Sequence, residues 1–321
     1  MSKIALFGAA GAIGNSIASA LRQSNQSYRV VGRSRDTLQR EFGADPLAEI
    51  VTWNPDDPAS VIAAASDVDT IIYLVGVDYN HFELHPQLMR KTLDGAIAAG
   101  VPRLLLIGTV YPYGLAQTNT VREDHPRNPH TFKGRMRKEQ EDLLLAADTA
   151  GKIHGAVLRL PDFYGPGVDK SFLHMIFAAA VKDTRAQVIG PVDTPHEYVF
   201  VPDVGPVVVR LIGNPVAWGR WWHLAGAGTI TTREVVERAY AIAGHKPRML
   251  VAGKTTLRLM GLFNPIMREM VEMNYLQTSP LILDDSALRG LLGEIKKTGY
   301  AEGIRQCVEA EPASQPAPSK K

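Results

Sequence analysis

Three glycines near the amino terminus constrain the fold of this chain more than any other feature. They stand in the run Gly8-Ala9-Ala10-Gly11-Ala12-Ile13-Gly14, after an apolar run at 3–7 and before an amphipathic stretch at 13–22. A GxxGxxG pattern between a strand and a helix is typical of a Rossmann unit, because glycine allows a tight turn and lets backbone N–H groups approach a pyrophosphate. The first turn of the helix adds unpaired N–H groups and a partial positive charge. We therefore predict a dinucleotide-binding Rossmann unit here.

Short apolar runs alternate with helical patterns through the first half of the chain. Further buried strands are predicted at 28–31, 50–53, 70–75, 103–107 and 154–160. Helices between them are predicted at 59–65, 88–99 and 138–150. Apolar strands separated by helices are typical of a parallel sheet covered on both faces. The fold class predicted is α/β, with a doubly wound parallel sheet.

The second half of the chain has shorter elements. Helices are predicted at 170–182, 203–212 and 231–243, and short strands at 187–189, 197–201 and 221–225. Thr231 followed by Glu234 is a capping-box pattern, which indicates a helix start. Residues 309–321 are rich in Pro, Ala, Ser and Lys and offer little to bury, so we predict a disordered tail there.

Charge and cysteine content exclude several classes of protein. A net charge of +2 over 321 residues gives no electrostatic reason to expect nucleic acid or a membrane surface as partner. Cys307 is the only cysteine, so an internal disulfide is impossible. No run approaches the roughly 20 apolar residues of a membrane span. We expect a cytoplasmic protein whose partner is a small-molecule substrate.

The end of the second predicted strand bears on which dinucleotide binds. An acidic residue there commonly binds the ribose hydroxyls of NAD, whereas this chain reads Gly32-Arg33-Ser34-Arg35. Arg33 can pair with a 2′-phosphate, and Ser34 can donate a hydrogen bond to it. The alternative is that Arg33 and Arg35 are ordinary solvated loop residues. The pattern favours NADP(H), with NAD(H) as the other possibility.

Together with the glycine loop, several further motifs resemble the extended short-chain dehydrogenase/reductase superfamily, in particular its NAD-dependent epimerase/dehydratase group. The block at 158–166, Leu-Arg-Leu-Pro-Asp-Phe-Tyr-Gly-Pro, is similar to the LRPxxxYGP signature of that group. The other matching motifs are Asp57-Pro58, Tyr-Leu-Val-Gly at 73–76, the run at 107–114, Phe-Val-Pro-Asp-Val at 200–204 and the segment 223–243. The resemblance covers nearly the whole chain.

The resemblance implies a parallel sheet of about seven strands and a small C-terminal α/β substrate domain, with the active site between them. We expect the Rossmann domain over 1–165 and about 195–225, and the substrate domain over about 166–194 and 226–308. A homodimer is a further possibility. The positions expected to contact the cofactor are Gly8, Ala10, Gly11, Ala12, Ile13, Gly14, Arg33, Ser34, Asn54, Val75, Gly76, Thr109, Arg137 and Pro161.

In this superfamily a Ser or Thr, a Tyr and a Lys act together. The Tyr exchanges a proton with the substrate oxygen, the Lys holds the nicotinamide ribose, and the Ser or Thr hydrogen-bonds the same oxygen. Thr109 stands at the Ser/Thr position, although an ordinary threonine at a strand end is the alternative. Counting along the chain from Arg159 places the Tyr and the Lys at 133 and 137, where this chain has Lys133 and Arg137.

The expected phenol is therefore missing, and three residues are candidates to replace it. Tyr111 lies two residues past Thr109 and can also be a packing residue. Lys133 can donate a proton if it is buried beside other cations, but it is more typical of an exposed lysine at a helix start. Tyr164 is a third phenol, whose counterpart in the superfamily is usually structural. Arg137 keeps a cation where the lysine is expected.

Histidines give two further hypotheses. His81 and His85 have a spacing that suits a metal on a helix, but Pro86 disfavours helical geometry at His85, so we predict no metal site. These histidines can instead line the substrate cleft, together with Asp78, Tyr79 and Asn80. His196 stands where sugar-nucleotide members of the superfamily often have an arginine for the substrate phosphate. This departure disfavours a nucleotide-sugar substrate.

The function predicted is that of an atypical extended reductase or dehydrogenase. It would transfer hydride between NADP(H) and a small carbonyl or activated alkene, with Thr109 orienting the oxygen. One alternative is a sugar or nucleotide-sugar epimerase/dehydratase that retains NAD. The other is a non-catalytic NADP(H)-binding sensor or interaction protein, which the missing tyrosine suggests.

Overall fold

A computed structural model describes residues 3–169, 171–253, 255 and 271–312 of the chain. Its internal contacts divide the chain into two units. Unit 1 comprises Met1–Pro161, Val201–Ala225 and Leu283–Lys296; unit 2 comprises Asp162–Phe200, Gly226–Ile282 and Lys297–Lys321. We expected residues 283–296 in the substrate domain, whereas their contacts place them in unit 1.

The strands of the described residues are β1 Ile4–Phe7, β2 Tyr28–Gly32, β3 Ala48–Thr52, β4 Thr70–Tyr73, β5 Arg103–Thr109, β6 His154–Leu160, β7 Asp162–Tyr164, β8 Ala186–Ile189, β9 Pro195–Phe200, β10 Arg220–His223, β11 Thr229–Thr231 and β12 Met249–Ala252. The helices are α1 Ala12–Gln23, α2 Arg35–Phe42, α3 Pro58–Ala65, α4 Leu84–Ala98, α5 Phe132–Thr149, α6 His174–Val181, α7 Val201–Ile212, α8 Thr232–Ile242, α9 Tyr275–Thr278, α10 Ser286–Leu292 and α11 Tyr300–Ala310. Two 3₁₀ helices are Tyr111–Tyr113 and Pro215–Ala217.

Unit 1 is built on a seven-stranded sheet in the order β10-β6-β5-β4-β1-β2-β3. Every neighbouring pair in it is parallel, which confirms the predicted fold class. All residues of β1 and β4 are buried, as expected for central strands covered on both faces. The strand order reverses between β1 and β4, and ligands of open α/β sheets bind at the carboxyl ends of strands on either side of such a reversal.

Unit 2 has a three-stranded sheet, β11-β9-β7, and a parallel pair, β8 and β12. The capping box predicted at Thr231 is confirmed: Thr231 Oγ1 accepts from Glu234 N at 3.1 Å, and Glu234 Oε2 accepts from Thr231 N at 2.8 Å. Strand β12 was not predicted, because its residues show no alternation of apolar and polar side chains; two of its four residues are exposed.

Three boundary predictions are wrong. Helix α5 begins at Phe132 instead of residue 138, because Thr131 Oγ1 accepts a hydrogen bond from Gly134 N at 3.1 Å and caps the helix. Helix α4 begins at Leu84, so His85 is helical after all. Pro86 is tolerated there because a residue in the first turn needs no helical N–H bond.

The third wrong boundary lies at the carboxyl end, where α11 continues to Ala310 and so overlaps the predicted tail. The rest of that prediction, residues 313–321, falls outside the described residues, as does Lys170 at the start of a predicted helix. Among the described helices none combines the length and the apolar character needed to cross a bilayer.

Candidate active site

The glycine loop after β1 is packed so closely that two of its positions exclude a side chain. Gly8 has φ +87°, and a Cβ on it would lie 2.7 Å from Val75 N. A Cβ on Gly14 would overlap the Ala9 carbonyl oxygen. These two glycines bring the loop against the end of β4 and bring α1 against the loop.

Gly11 is different, because the protein itself does not require a glycine there. It is exposed, its backbone is extended at the start of α1, and no described atom lies within 4 Å of where a Cβ would stand. No side chain caps α1, so the first N–H groups of the helix have no side-chain acceptor at the N-cap. This cradle fits the phosphates of a dinucleotide.

The other expected cofactor residues follow neighbouring strands at the same edge of the sheet. Arg33 and Ser34 follow β2 and are exposed; Ser34 Oγ also caps α2 by accepting from Thr37 N at 3.3 Å. Asn54 follows β3, and its Oδ1 accepts from Asp56 N at 3.0 Å; the side-chain amide nitrogen takes no part in this bond.

Three expected residues remain at the ends of the next strands. Val75 and Gly76 follow β4, and a Cβ on Gly76 would meet no described atom within 4 Å. Pro161 follows β6 and is buried. Small or backbone surfaces thus line the edge beside the glycine loop.

Thr109 and Tyr111 stand at the carboxyl end of β5. Thr109 is the last residue of the strand and is half-buried; its Oγ1 accepts from Tyr111 N at 3.4 Å. The half-buried Tyr111 ring stacks on Phe82, with ring centres 6.3 Å apart and planes 21° from parallel. The strand end therefore presents a hydroxyl and a phenol two residues apart.

Helix α5 begins directly against this turn. A Cβ on Gly134 would lie 2.8 Å from the Tyr111 carbonyl oxygen and 2.6 Å from Pro129 Cβ, so only glycine allows the approach. The neighbouring residue, Lys133, has no exposed surface at all. The prediction of an exposed lysine is wrong, because the helix starts earlier than expected and turns this residue inwards.

Two aromatic rings lie near the Lys133 ammonium. Its Nζ lies 4.9 Å from the centre of the Tyr79 ring and 5.5 Å from that of Phe82. Both distances are within the range of cation–π attraction. Tyr79 and Phe82 belong to the segment between β4 and α4, of which Tyr79 was expected to line the cleft. Phe82 was missed, since no sequence pattern marks a ring that will face a cation.

Arg137 lies one turn after Lys133 on the same face of α5 and is 8% exposed. Its Nη1 donates to His85 Nδ1 at 3.2 Å, and its Nη2 donates to the Ile107 carbonyl oxygen at 3.4 Å. Burial lowers the pKa of Arg137, with the charge of Glu141 opposing that shift, and a guanidinium stays charged at physiological pH. Among the described residues, no carboxylate hydrogen-bonds this cation.

His85 is neutral in this environment. It is 5% exposed, and burial together with the Arg137 charge lowers its pKa to about 2. Nδ1 therefore carries a lone pair and accepts from Arg137. His81, by contrast, is exposed and contacts Glu83. The described residues contain no group of three or more His, Cys, Asp or Glu side chains placed to hold a metal ion.

Two phenols lie within electrostatic range of Arg137, those of Tyr111 and Tyr73. Tyr73 is only 1% exposed, and burial raises its pKa. Tyr111 is half-buried, so it is the more exposed of the two. We call Lys133, Arg137, His85 and Tyr111 the Arg137 cluster.

A second buried group of charges lies further along α5. Glu141 accepts from Arg159 Nε at 3.0 Å and from Arg159 Nη2 at 2.6 Å. Arg159 Nη1 donates to the Tyr113 hydroxyl at 2.6 Å, and that hydroxyl donates to His223 Nε2. His223 Nδ1 in turn donates to the Asp284 carbonyl oxygen at 3.1 Å. We call Glu141, Arg159, Tyr113 and His223 the Arg159 cluster.

The remaining two candidates belong to unit 2. Tyr164 is 1% exposed, and its ring stacks on Tyr300 with centres 5.8 Å apart, so it is a core residue. His196 is 3% exposed, and burial lowers its pKa to about 4. A neutral imidazole at this position differs from the arginine of sugar-nucleotide members.

The chain is similar in sequence to a known family and to known enzymes. The profile of the NAD dependent epimerase/dehydratase family matches residues 4–220. A dTDP-6-deoxy-L-talose 4-dehydrogenase (NAD(P)(+)) of Kitasatospora kifunensis is 27% identical over 197 residues, which span 58% of this chain and 60% of that protein. Uronate dehydrogenase of Pseudomonas putida is 26% identical over 265 residues, 78% of this chain and 94% of the enzyme.

A solved structure shares the fold at lower identity. The dTDP-glucose 4,6-dehydratase from Bacillus anthracis, crystallised in complex with NAD, superposes with a TM-score of 0.80 at 14% identity. The match covers 97% of this chain and 96% of that one.

Proposed function

The chain belongs to the NAD dependent epimerase/dehydratase family, and from that premise we propose that it is an oxidoreductase that transfers hydride between NADP(H) and a small carbonyl or activated alkene. The relatives named above are enzymes, and two of them are dehydrogenases by name. One observation supports the proposal most strongly. The half-buried Tyr111 has its phenol within electrostatic range of the buried cation Arg137, and its backbone N–H donates to the hydroxyl of Thr109, although the usual Tyr and Lys are absent.

The cradle formed by the glycine loop and α1 supports a nicotinamide dinucleotide as cofactor. When bound, this group supplies or accepts the hydride. The N–H groups at the start of α1 would hold its phosphates, and the open edge at Gly76 leaves room for close approach. Arg33 and Ser34 are exposed at the end of β2, where they can meet a 2′-phosphate.

Thr109 and Tyr111 would divide the work on the substrate oxygen. The Thr109 hydroxyl donates a hydrogen bond that orients the carbonyl, and the Tyr111 hydroxyl gives up its proton to the oxygen as the carbonyl carbon gains the hydride. The product is an alcohol, and the Tyr111 phenolate regains a proton from water. The nearby Arg137 charge stabilises that phenolate and so favours proton transfer.

The catalytic assignment is tested by NADPH oxidation against a panel of small aldehydes, ketones and activated alkenes. We expect turnover by the wild type and a loss of about 100-fold in kcat for Thr109→Val and for Tyr111→Phe, since positioned acid catalysis contributes about that much. The dissociation constant for NADPH should stay unchanged in both variants. Undiminished kcat in both variants would refute the assignment. NAD that co-purifies and does not exchange would favour an epimerase or dehydratase instead.

The cofactor site is tested separately by two alanine substitutions of glycine. Gly11→Ala should fold normally and bind NADPH about tenfold more weakly, because its methyl group occupies the space of the phosphates. Gly290→Ala in α10 is the control, since a Cβ there also meets no described atom within 4 Å. If the two variants bind NADPH with equal affinity, the cofactor phosphates do not lie against Gly11.

Preference for NADPH over NADH is tested at Arg33. Arg33→Ala should weaken NADPH binding about tenfold and leave NADH binding unchanged, because only the 2′-phosphate is lost as a partner. Arg40→Ala, on the exposed side of α2, is the control. A wild-type protein that binds both cofactors equally would contradict the preference.

A further inference from the structure

The buried guanidinium of Arg137 has an unusual set of partners. It donates to a neutral imidazole nitrogen, His85 Nδ1 at 3.2 Å, and to the Ile107 carbonyl oxygen at 3.4 Å. Buried cations in proteins are usually paired with carboxylates, because removing a charge from water costs several kcal/mol. Arg137 is 8% exposed and has two neutral acceptors instead.

We propose that His85 is a positioning residue: its Nδ1 fixes the Arg137 guanidinium in the orientation that directs the positive charge at the Tyr111 phenol. This inference rests on the proposed role of Tyr111. His85 itself would touch neither the substrate nor the cofactor. The inference gives a role to a histidine whose spacing from His81 first suggested a metal.

The chemistry of the acceptor explains why a histidine suits this place. A carboxylate would hold the guanidinium equally well, but its negative charge would cancel the field that stabilises a phenolate at Tyr111. A protonated imidazole has no lone pair and would repel Arg137. The neutral form is maintained here, because burial and the Arg137 charge both oppose protonation of His85.

The position of the imidazole is set by packing on two sides. The His85 ring meets the Phe82 ring edge-on, with centres 4.8 Å apart, and Phe82 in turn stacks on Tyr111. His85 also lies in the first turn of α4, followed by the rigid Pro86. A ring packed in this way holds its Nδ1 in place as an acceptor for the guanidinium.

The test uses two substitutions of nearly equal shape. In His85→Asn the amide oxygen stands close to where Nδ1 stood and keeps a neutral acceptor for Arg137. In His85→Leu the same volume has no acceptor. Thermal unfolding of both variants shows whether they are folded, and any cost of replacing the ring is common to the two.

The first readout is the titration of Tyr111, which needs no substrate. Ultraviolet absorbance follows tyrosinate formation, and subtracting the curve of the matching Tyr111→Phe protein isolates Tyr111 from the other nine tyrosines. We expect Tyr111 to titrate about one pH unit higher in His85→Leu than in the wild type, because the cation is no longer directed at it. His85→Asn should follow the wild type.

The second readout is the split between kcat and binding. His85→Leu should lower kcat about tenfold with an unchanged dissociation constant for NADPH, whereas His85→Asn should stay within about twofold of the wild type. Identical behaviour of the two variants in the titration would overturn the inference, since a purely structural role does not depend on an acceptor. A wild type that reduces no substrate would defeat the proposed function, and the Tyr111 titration would still decide the role of His85.

Discussion

Two clusters of buried charge lie against one face of helix α5. They differ in how the cost of burying an arginine is compensated. In the Arg159 cluster the guanidinium is bound to Glu141 by two hydrogen bonds and to the Tyr113 hydroxyl by a third. In the Arg137 cluster the acceptors that the described residues provide to the guanidinium are neutral, His85 and the Ile107 carbonyl, and Glu141 acts on it through its charge without a hydrogen bond. Arg137 stands on α5, whereas Arg159 stands on β6 and reaches Glu141 on α5. The two arginines differ in whether a carboxylate hydrogen-bonds the guanidinium.

The difference teaches how to separate structural from functional charge. A buried cation that is paired with a carboxylate exerts little net charge on a ligand. Removing the carboxylate leaves the cation buried without a partner, which lowers stability. A charge held by neutral groups keeps its field, which can act on a phenol or on a bound anion. We therefore expect the Arg159 cluster to govern stability and the Arg137 cluster to govern chemistry.

The largest effect is expected from Glu141→Gln. Loss of the carboxylate leaves Arg159, which has no exposed surface, without its counter-charge, and should lower the free energy of unfolding by about 3–5 kcal/mol. Urea unfolding measures it. The control is Asp142→Asn, whose side chain is 39% exposed and whose ion pairs with Arg127 and Lys138 should contribute about 1 kcal/mol or less. An equal decrease in the free energy of unfolding in the two variants would show that the buried Glu141 pair contributes no more to stability than an exposed ion pair.

The next effect is expected from Arg137→Met, and it should appear in turnover. We expect kcat to fall about 100-fold, because the phenolate of Tyr111 loses its stabilising charge. The free energy of unfolding should change by about 1 kcal/mol or less, since removing a buried charge also removes its desolvation cost. Lys138→Met, at a half-exposed neighbour, is the control. A large loss of stability without a loss of kcat would contradict the assignment.

The clusters share one property, a neutral buried histidine, and this predicts a dependence of stability on pH. The pKa is lowered to about 2 at His85 and to about 3 at His223, mainly by burial, while both would titrate near 6.5 in the unfolded chain. As the pH falls below about 6.5, the unfolded chain therefore binds protons that the folded chain does not, and stability decreases. By pH 5 the loss is about 2 kcal/mol for each histidine.

Urea unfolding at pH 7 and pH 5 measures this loss. His223→Asn should remove about 2 kcal/mol of the pH-dependent part. His81→Asn, at an exposed histidine, should remove none. The same pH dependence in all three proteins would show that the Arg159 cluster does not hold its imidazole neutral.

The smallest effect, and the sharpest comparison, comes from one substitution made at two positions in the same 3₁₀ helix. Tyr113→Phe removes the hydroxyl that links Arg159 to His223 and should lower the free energy of unfolding by about 1.5 kcal/mol, with kcat unchanged. Tyr111→Phe should leave stability unchanged and lower kcat. Urea unfolding and turnover are measured on both proteins. A loss of kcat in Tyr113→Phe together with a loss of stability in Tyr111→Phe would contradict the roles assigned to the two clusters.

Local patterns account for the parts of the molecule that the sequence predicted correctly. The parallel sheet and the glycine loop depend on short-range alternation and on a turn that only glycine permits, and both can be recognised within about thirty residues. Thr109 and Arg137 could be placed by counting between motifs. Their chemical roles stay predictions until they are tested.

The environment of Lys133 could not be predicted, because it depends on rings that lie about fifty residues earlier in the chain. Its burial needs Tyr79 and Phe82, and it also needs α5 to start at Phe132. One signal was available: Thr131 is a typical N-cap residue and marks the true start of the helix. The Arg159 cluster was equally hidden, since its members come from four separate elements.

The spacing of charges along α5 restricts how this chain can change in length during evolution. Loops on either side of the helix can gain or lose residues, because they do not set the direction of Lys133, Arg137 or Glu141. One residue inserted between Arg137 and Glu141 would rotate everything beyond it by about 100°. Glu141 would then turn away from Arg159 while Arg137 kept its place, so a single insertion would lower the free energy of unfolding by about 3–5 kcal/mol and leave the residues assigned to the chemistry in place. Homologous chains should therefore vary in length around this helix and keep it free of insertions.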